Sequence, residues 1–145
     1  MISTNAMADK FFVDTNILVY AYDRSAGRKH QKAKTLVEEL WRSGSGVVST
    51  QVLQELAANL RRKCSPPLGP DETRQLIQDY LAWEVVVNGP ESTLQALDLE
   101  SRYKMSFWDA LVLHAAETVG AVTLYSEDLS HRQRYGTVLV VNPFK

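Results

Sequence analysis

The chain alternates short apolar runs with longer amphipathic stretches. Phe11–Val13, Gly46–Ser49, Glu84–Val87, Ala121–Tyr125 and Thr137–Val141 are brief and rich in β-branched or aromatic residues. They predict five strands, and their lack of regular polar alternation predicts a parallel sheet covered on both faces. Between them, apolar residues recur at helical spacing over Ile17–Tyr22, Arg28–Arg42, Thr50–Cys64, Asp71–Trp83, Glu91–Tyr103 and Ser106–Val119. A further short helix is predicted over Asp128–Tyr135. Strand, helix and strand in succession imply right-handed crossovers and a doubly wound α/β fold. The segment SPPLGP, Ser65 to Pro70, is the sharpest break. It falls between two helices, so a loop is expected there and not a domain boundary.

Composition narrows the class without changing this picture. With 145 residues, 45% of them hydrophobic and 23% charged, the chain has the size and balance of one globular domain. We expect a flexible leader over residues 1–8 and a single domain over 9–145. The net charge of -1 gives no overall pull toward a polyanion, so any such attraction must come from local patches. A lone cysteine, Cys64, excludes an internal disulfide and fits a reducing compartment. The N-terminal stretch MISTNAMADK lacks the pattern of a secretion signal, and no apolar run approaches the length of a membrane span. A cytoplasmic protein is expected, with no membrane partner.

The candidate chemistry lies in four acids. Asp14 interrupts the apolar run FFVDTNILVY at the end of the first predicted strand. Asp128, in LYSEDL, follows the fourth. Open α/β sheets place their sites outside the carboxyl ends of the strands, where strand order reverses. If strands one and four flank that reversal, both acids face one crevice. Asp109, in SFWDALVLHAAETV, has Val112, Leu113 and Ala116 as its helical neighbours, so it sits on an apolar surface. Glu55, in TQVLQELAANL, borders the apolar stripe of its helix, one turn before Asn59.

Each acid singly has an ordinary structural explanation as a helix cap or a surface residue; Ser106 with Asp109, for example, matches a capping box. Together they raise an electrostatic problem. Two carboxylates about 4 Å apart repel by about 4 kcal/mol at an effective dielectric of 20. Several such pairs rival the whole stability of a domain, roughly 5–15 kcal/mol. No Lys or Arg adjoins Asp14, Asp109 or Glu55 in sequence. Oxygen donors without cysteine or paired histidine favour Mg²⁺ or Mn²⁺ over zinc, and His30, His114 and His131 have no zinc-ligand spacing.

FVDTNILVYAYD, the helix bearing Glu55, FWDALV around Asp109 and LYSEDLSHRQRYGTVLVVNPF together resemble the PIN-domain ribonucleases, most of all the VapC-type toxins of bacterial toxin–antitoxin modules. The resemblance runs from about Phe11 to Phe144. It implies a PIN-like three-layer sandwich, with a five-stranded parallel sheet of order 3-2-1-4-5 between helices. It implies that Asp14, Glu55, Asp109 and Asp128 are the metal-binding and catalytic quartet, with Asn16 and Ser126 orienting them from behind. It further implies hydrolysis of RNA phosphodiesters with Mg²⁺ or Mn²⁺, a homodimer, and a cognate antitoxin that inserts a segment into the groove. For phosphate contacts, the basic stretches nominate Arg24, Arg28, Lys29, Lys32, Arg132 and Arg134, with Arg61, Arg62 and Lys63 behind them. Trp41, Trp83 and Trp108 are expected in the core or an interface.

Other readings lose on particular positions. A haloacid-dehalogenase-type phosphatase wants a second acid two residues after the first, where this chain has Asn16. A response-regulator receiver wants its acid after the third strand, which here ends in VVVNGP. A PIN nuclease working in RNA processing outside a toxin–antitoxin pair, or a domain that only binds RNA or a partner, remains as the alternative.

Overall fold

The computed structural model describes residues 8–145, so all but one residue of the expected leader lies outside the described residues. Strand β1 (Phe11–Val13) leads into helix α1 (Thr15–Tyr22), and α2 (Arg28–Ser43) leads back to β2 (Gly46–Ser49). Next come α3 (Thr50–Leu60), α4 (Pro70–Tyr80), β3 (Glu84–Val86), α5 (Pro90–Tyr103) and α6 (Phe107–Thr118). The chain closes with β4 (Thr123–Tyr125), β5 (Arg134–Tyr135) and β6 (Val138–Val141). The sheet order is β3-β2-β1-β4-β6-β5, parallel except for the β5–β6 pair. This is the predicted α/β architecture with six strands instead of five.

The sixth strand replaces the helix predicted over Asp128–Tyr135. That segment is polar enough to read as a helix, but its backbone finds partners on β6. Arg132 takes a positive φ of 66° and its N–H bonds the Val140 carbonyl. Tyr135 then pairs Val138 across a tight turn whose Gly136 also has a positive φ, 60°. Two helix ends also move inward. The helix predicted to reach Cys64 stops at Leu60, whose carbonyl accepts from Leu68 as the proline-rich loop folds back. The helix predicted to reach Trp83 stops at Tyr80.

β2 is buried over all four residues and β1 and β4 keep buried centres with one or both ends half-buried, whereas the edge strand β3 is partly exposed. Phe12, Val47, Val48, Leu124 and Val140 form the sheet's contribution to the core, and Ile17, Leu18, Val52, Leu56 and Leu113 cover it from the helices. Each fully buried aliphatic side chain contributes on the order of 1.5–3 kcal/mol. The two faces are thus sealed, and polar chemistry is left to the carboxyl edge.

One close approach ties β2 to the aromatic cluster beneath it. The Trp83 ring lies so near Gly46 that a Cβ there would stand 2.6 Å from it. The ring cannot swing aside easily, because Tyr80 and Trp41 pack on it at centroid distances of 4.9 and 5.4 Å. Gly46→Ala is therefore expected to destabilise the protein by about 1–3 kcal/mol through overpacking. Urea denaturation checks this, and an unchanged midpoint would show that the ring yields freely.

Candidate active site

Register brings the first two components of the site together. Val13 pairs Tyr125 across the β1–β4 interface, and the Asp14 N–H bonds the Tyr125 carbonyl at 3.0 Å. The next residues on each chain, Asp14 and Ser126, therefore stand side by side, and Ser126 Oγ donates to Asp14 Oδ2 at 3.0 Å. β2 and β6 lie outside this central pair on opposite sides, so the strand order reverses between β1 and β4. Strands one and four do flank the reversal, and both acids, Asp14 and Asp128, stand at that switch point.

Asp14 is buried and caps α1, accepting from the Thr15 N–H at 2.7 Å. Ser126 turns its hydroxyl oxygen to two tasks, donating to Asp14 and accepting from the Asp128 N–H at 3.2 Å. Asn16 Nδ2 donates to Asp128 Oδ2 at 3.2 Å. Ser106 Oγ caps α6 by accepting from the Asp109 N–H at 3.1 Å, which sets that acid on the first turn. The result is that Asp14, Asp109 and Asp128 each offer a carboxylate oxygen lying within 4.8 Å of the others.

Glu55 lies on the same cleft but outside that closest trio. Its Oε1 accepts from Thr15 Oγ1 at 2.6 Å, so Thr15, which the sequence did not single out, ties α3 to the start of α1. Gln51, Glu55 and Asn59 fall at four-residue intervals along α3 and present one row to the cleft. The cleft holds about 210 Å³ and is lined by these residues with Asp14, Thr15, Asn16, Lys63, Trp108, Asp109, Val112 and Asp128. A period-four polar row beside an apolar stripe was the available signal for Gln51 and Asn59.

Electrostatics follow from burial. Loss of water pushes the Asp14 carboxyl up to about 7; bonds from Thr15 and Ser126 offset this in part, while Asp128 and Asp109 add to it. Burial also raises Asp109, with the Ser106 bond opposing and Glu55 adding. Asp128 is raised by burial and then by Asp109 and Glu127, with Lys63 opposing. Among the described residues, Lys63 is the one cation lining the cleft. It sits just past the end of α3, and the sequence ranked it behind other basic residues.

The six residues nominated for phosphate contacts do not line this cleft. Lys29 is engaged instead by Glu127 at 2.8 Å, and Tyr20 Oη donates to the same acid at 2.6 Å. Arg24 borders a separate cavity of about 620 Å³ with Tyr22, His30, Lys34, Trp41 and the proline loop. Arg28, Arg132 and Arg134 are exposed, and Lys32 is half-buried. Of the tryptophans, Trp83 is core, whereas Trp108 is 61% exposed on the rim of the acid cleft.

A three-layer fold with converging carboxylates at the carboxyl edge of a parallel sheet defines an α/β protein built around an acidic cleft. The family model of the PIN domain matches residues 11–136, and the chain belongs to that family. Solved structures of similar fold include VapC20 of Mycobacterium tuberculosis, described as a sarcin–ricin loop cleaving toxin. It is 23% identical over 82% of this chain and 90% of its own, with a TM-score of 0.64. A toxin–antitoxin complex from Klebsiella pneumoniae is 20% identical over 93% and 98% of the two chains, with a TM-score of 0.66. VapBC2 of Rickettsia felis, bound to a promoter DNA fragment, is 20% identical over 90% and 96%, with a TM-score of 0.61. Comparison with curated proteins gave no significant match. Among the described residues, no helix is long and apolar enough to cross a membrane.

Proposed function

We propose that this protein is a Mg²⁺- or Mn²⁺-dependent endoribonuclease and the toxin of a type II toxin–antitoxin pair. The observation that carries the reading is the convergence of Asp14, Asp109 and Asp128 oxygens within 4.8 Å in a cleft with a single lysine on its lining. Membership of the PIN domain family and the likeness in fold to toxin structures support it.

The residues fit a hard divalent cation. All donors are oxygens, one of them is buried, and the protein supplies no arginine to the cleft lining. Asp14, Asp109 and Asp128 would hold the ion, with Glu55 acting from the same cleft through water or directly. Such an ion supplies an activated water and offsets charge developing on the phosphoryl oxygens. The protein's own contribution is to keep the oxygens converged. Ser126 fixes the direction of Asp14, Asn16 fixes Asp128, and Thr15 fixes Glu55. Partners of this kind orient ligands and commonly account for 10- to 100-fold in metal affinity or activity. A homodimer and an antitoxin that covers the cleft complete the proposal, the latter in keeping with a neighbour described as a toxin–antitoxin complex.

Incubation with total RNA, with Mn²⁺ or with EDTA, followed by mapping of new 5′ ends, tests the reading. Discrete new ends with Mn²⁺ and none with EDTA are expected. Cleavage that persists undiminished in EDTA, or an RNA pool left intact by Mn²⁺, would refute it.

A further inference from the structure

The acid cleft poses a problem of affinity. Four carboxylates and one lysine line it, so even with a divalent cation held among them the cleft offers the phosphates of the proposed substrate little net attraction. Binding energy that does not depend on charge must come from elsewhere on the rim. Trp108 is the residue placed to supply it. It precedes Asp109 in the chain, lines the cleft, and is 61% exposed. Among the described residues, the other large exposed hydrophobics (Trp41, Leu81, Val87, Leu94, Leu97 and Val122) do not border that cleft.

The backbone beneath Trp108 is held firmly. Gln51, itself buried, donates from Nε2 to the Trp108 carbonyl at 3.3 Å, which ties α3 to the first turn of α6. The Phe107 ring meets the indole edge-to-face at a centroid distance of 5.2 Å. One turn of helix thus sets both a carboxylate of the converging trio and an exposed aromatic face beside it. An indole on a fixed backbone beside a reaction centre is a stacking platform, and stacking on it is indifferent to charge.

We propose that Trp108 stacks a nucleobase next to the scissile phosphate and so makes binding depend on the base at that position. The proposal rests on the ribonuclease reading and names a residue that holds the substrate beside the cut. Trp108 is the specificity element and Gln51 the positioning residue behind it.

The test uses a short RNA cut by the wild type and the same RNA with an abasic site at each position flanking the cut. Base–aromatic stacking is worth about 1–3 kcal/mol, equivalent to about 5- to 150-fold in affinity. Trp108→Ala is expected to raise KM by that range with kcat changed less than about threefold, and Trp108→Phe to recover most of the loss. Dissociation constants measured by anisotropy on the Asp14→Asn background, where cleavage does not interfere, should show the same loss. The loss should be equal at low and moderate salt, because no phosphate contact is removed. An abasic site at one flanking position should weaken binding of the Trp108 protein by the same factor and leave the Ala variant unaffected. Because the indole is exposed, the Ala variant should melt with the wild type, which separates this outcome from unfolding.

Equal binding by wild type and Ala variant, or absence of coupling to any abasic position, would overturn the proposal. A Trp108→Ala protein that binds RNA normally but changes its oligomeric state would instead make the indole a protein contact. If the coupling is present while the wild type fails to cut, the stacking site stands and the nuclease reading falls. If cutting is normal without coupling, the reverse holds.

Discussion

Asp14→Asn is expected to reduce Mn²⁺-dependent RNA cleavage by about a thousand-fold or more, equivalent to ~4 kcal/mol of transition-state stabilisation, while the protein stays folded. Asparagine caps helices about as well as aspartate, so the start of α1 survives. The amide oxygen can still accept from the Thr15 N–H, while the amide nitrogen, in place of Oδ2, donates to Ser126 Oγ, whose own hydroxyl proton turns elsewhere. What disappears is the negative charge that Asp14 would bring to the converging trio. Matched rates of 5′-end formation and matched thermal melts check both halves of this expectation. A folded Asn variant with wild-type cleavage would remove Asp14 from the mechanism.

The second large effect concerns stability and its dependence on pH. In the folded chain burial pushes Asp14 up to about 7 from a reference of 3.8. Between those values the folded protein retains a proton that the unfolded chain has released. Stability with respect to this group is therefore highest below about pH 4 and falls as pH rises toward 7. The full span corresponds to about 4 kcal/mol. Asp109 and Asp128 are shifted in the same direction and reinforce the trend. Asp23 acts oppositely: the Ser25 hydrogen bond leads those that lower it, so its contribution is lost only as the solution becomes acidic below the ordinary carboxylate range.

In EDTA, the unfolding free energy from urea titrations should thus decline between about pH 5 and pH 8, and Asp14→Asn should flatten most of that slope. A divalent ion bound by the ionised acids reverses the penalty. At a hundred times its dissociation constant it should add about 2.7 kcal/mol, most visibly at the alkaline end. An EDTA-treated wild type equally stable at both ends of that range would mean that Asp14 is compensated by some group other than a cation.

These expectations divide the molecule into what is written locally and what is not. Helical periodicity located α2, α5 and α6 closely because each repeats its apolar positions toward a packing partner, α2 onto α1 and α5 onto α6, and that repeat is a property of neighbouring positions. Ser106 before Asp109 and Asp14 before Thr15 are cap signals of the same local kind. The failure at Asp128–Tyr135 has the opposite cause. Those residues have no strong preference of their own, and β6, brought alongside, supplied the hydrogen-bond partners that a helix would have found within itself. The placement of the basic residues was hidden from the sequence for a related reason. A count of charges along the chain favoured Lys29 and passed over Lys63, but Glu127 is near Lys29 only after folding, and Lys63 reaches the cleft only because α3 ends where the proline loop turns back.

By itself the sequence determined the alternation of strands and helices, the buried stripes, and the presence of four acids beside apolar runs or just after strands, because each depends on residues a few positions apart. Tertiary structure alone decided that Asp14 meets Ser126, that Asp109 and Asp128 close on them while Glu55 is held by Thr15, and that Trp108 faces outward on the rim. Those relations cross gaps of up to 112 residues and are set by the parallel register of β1 against β4 and by helices docking on the sheet. A charge's neighbours in space, not in sequence, decide what it can do.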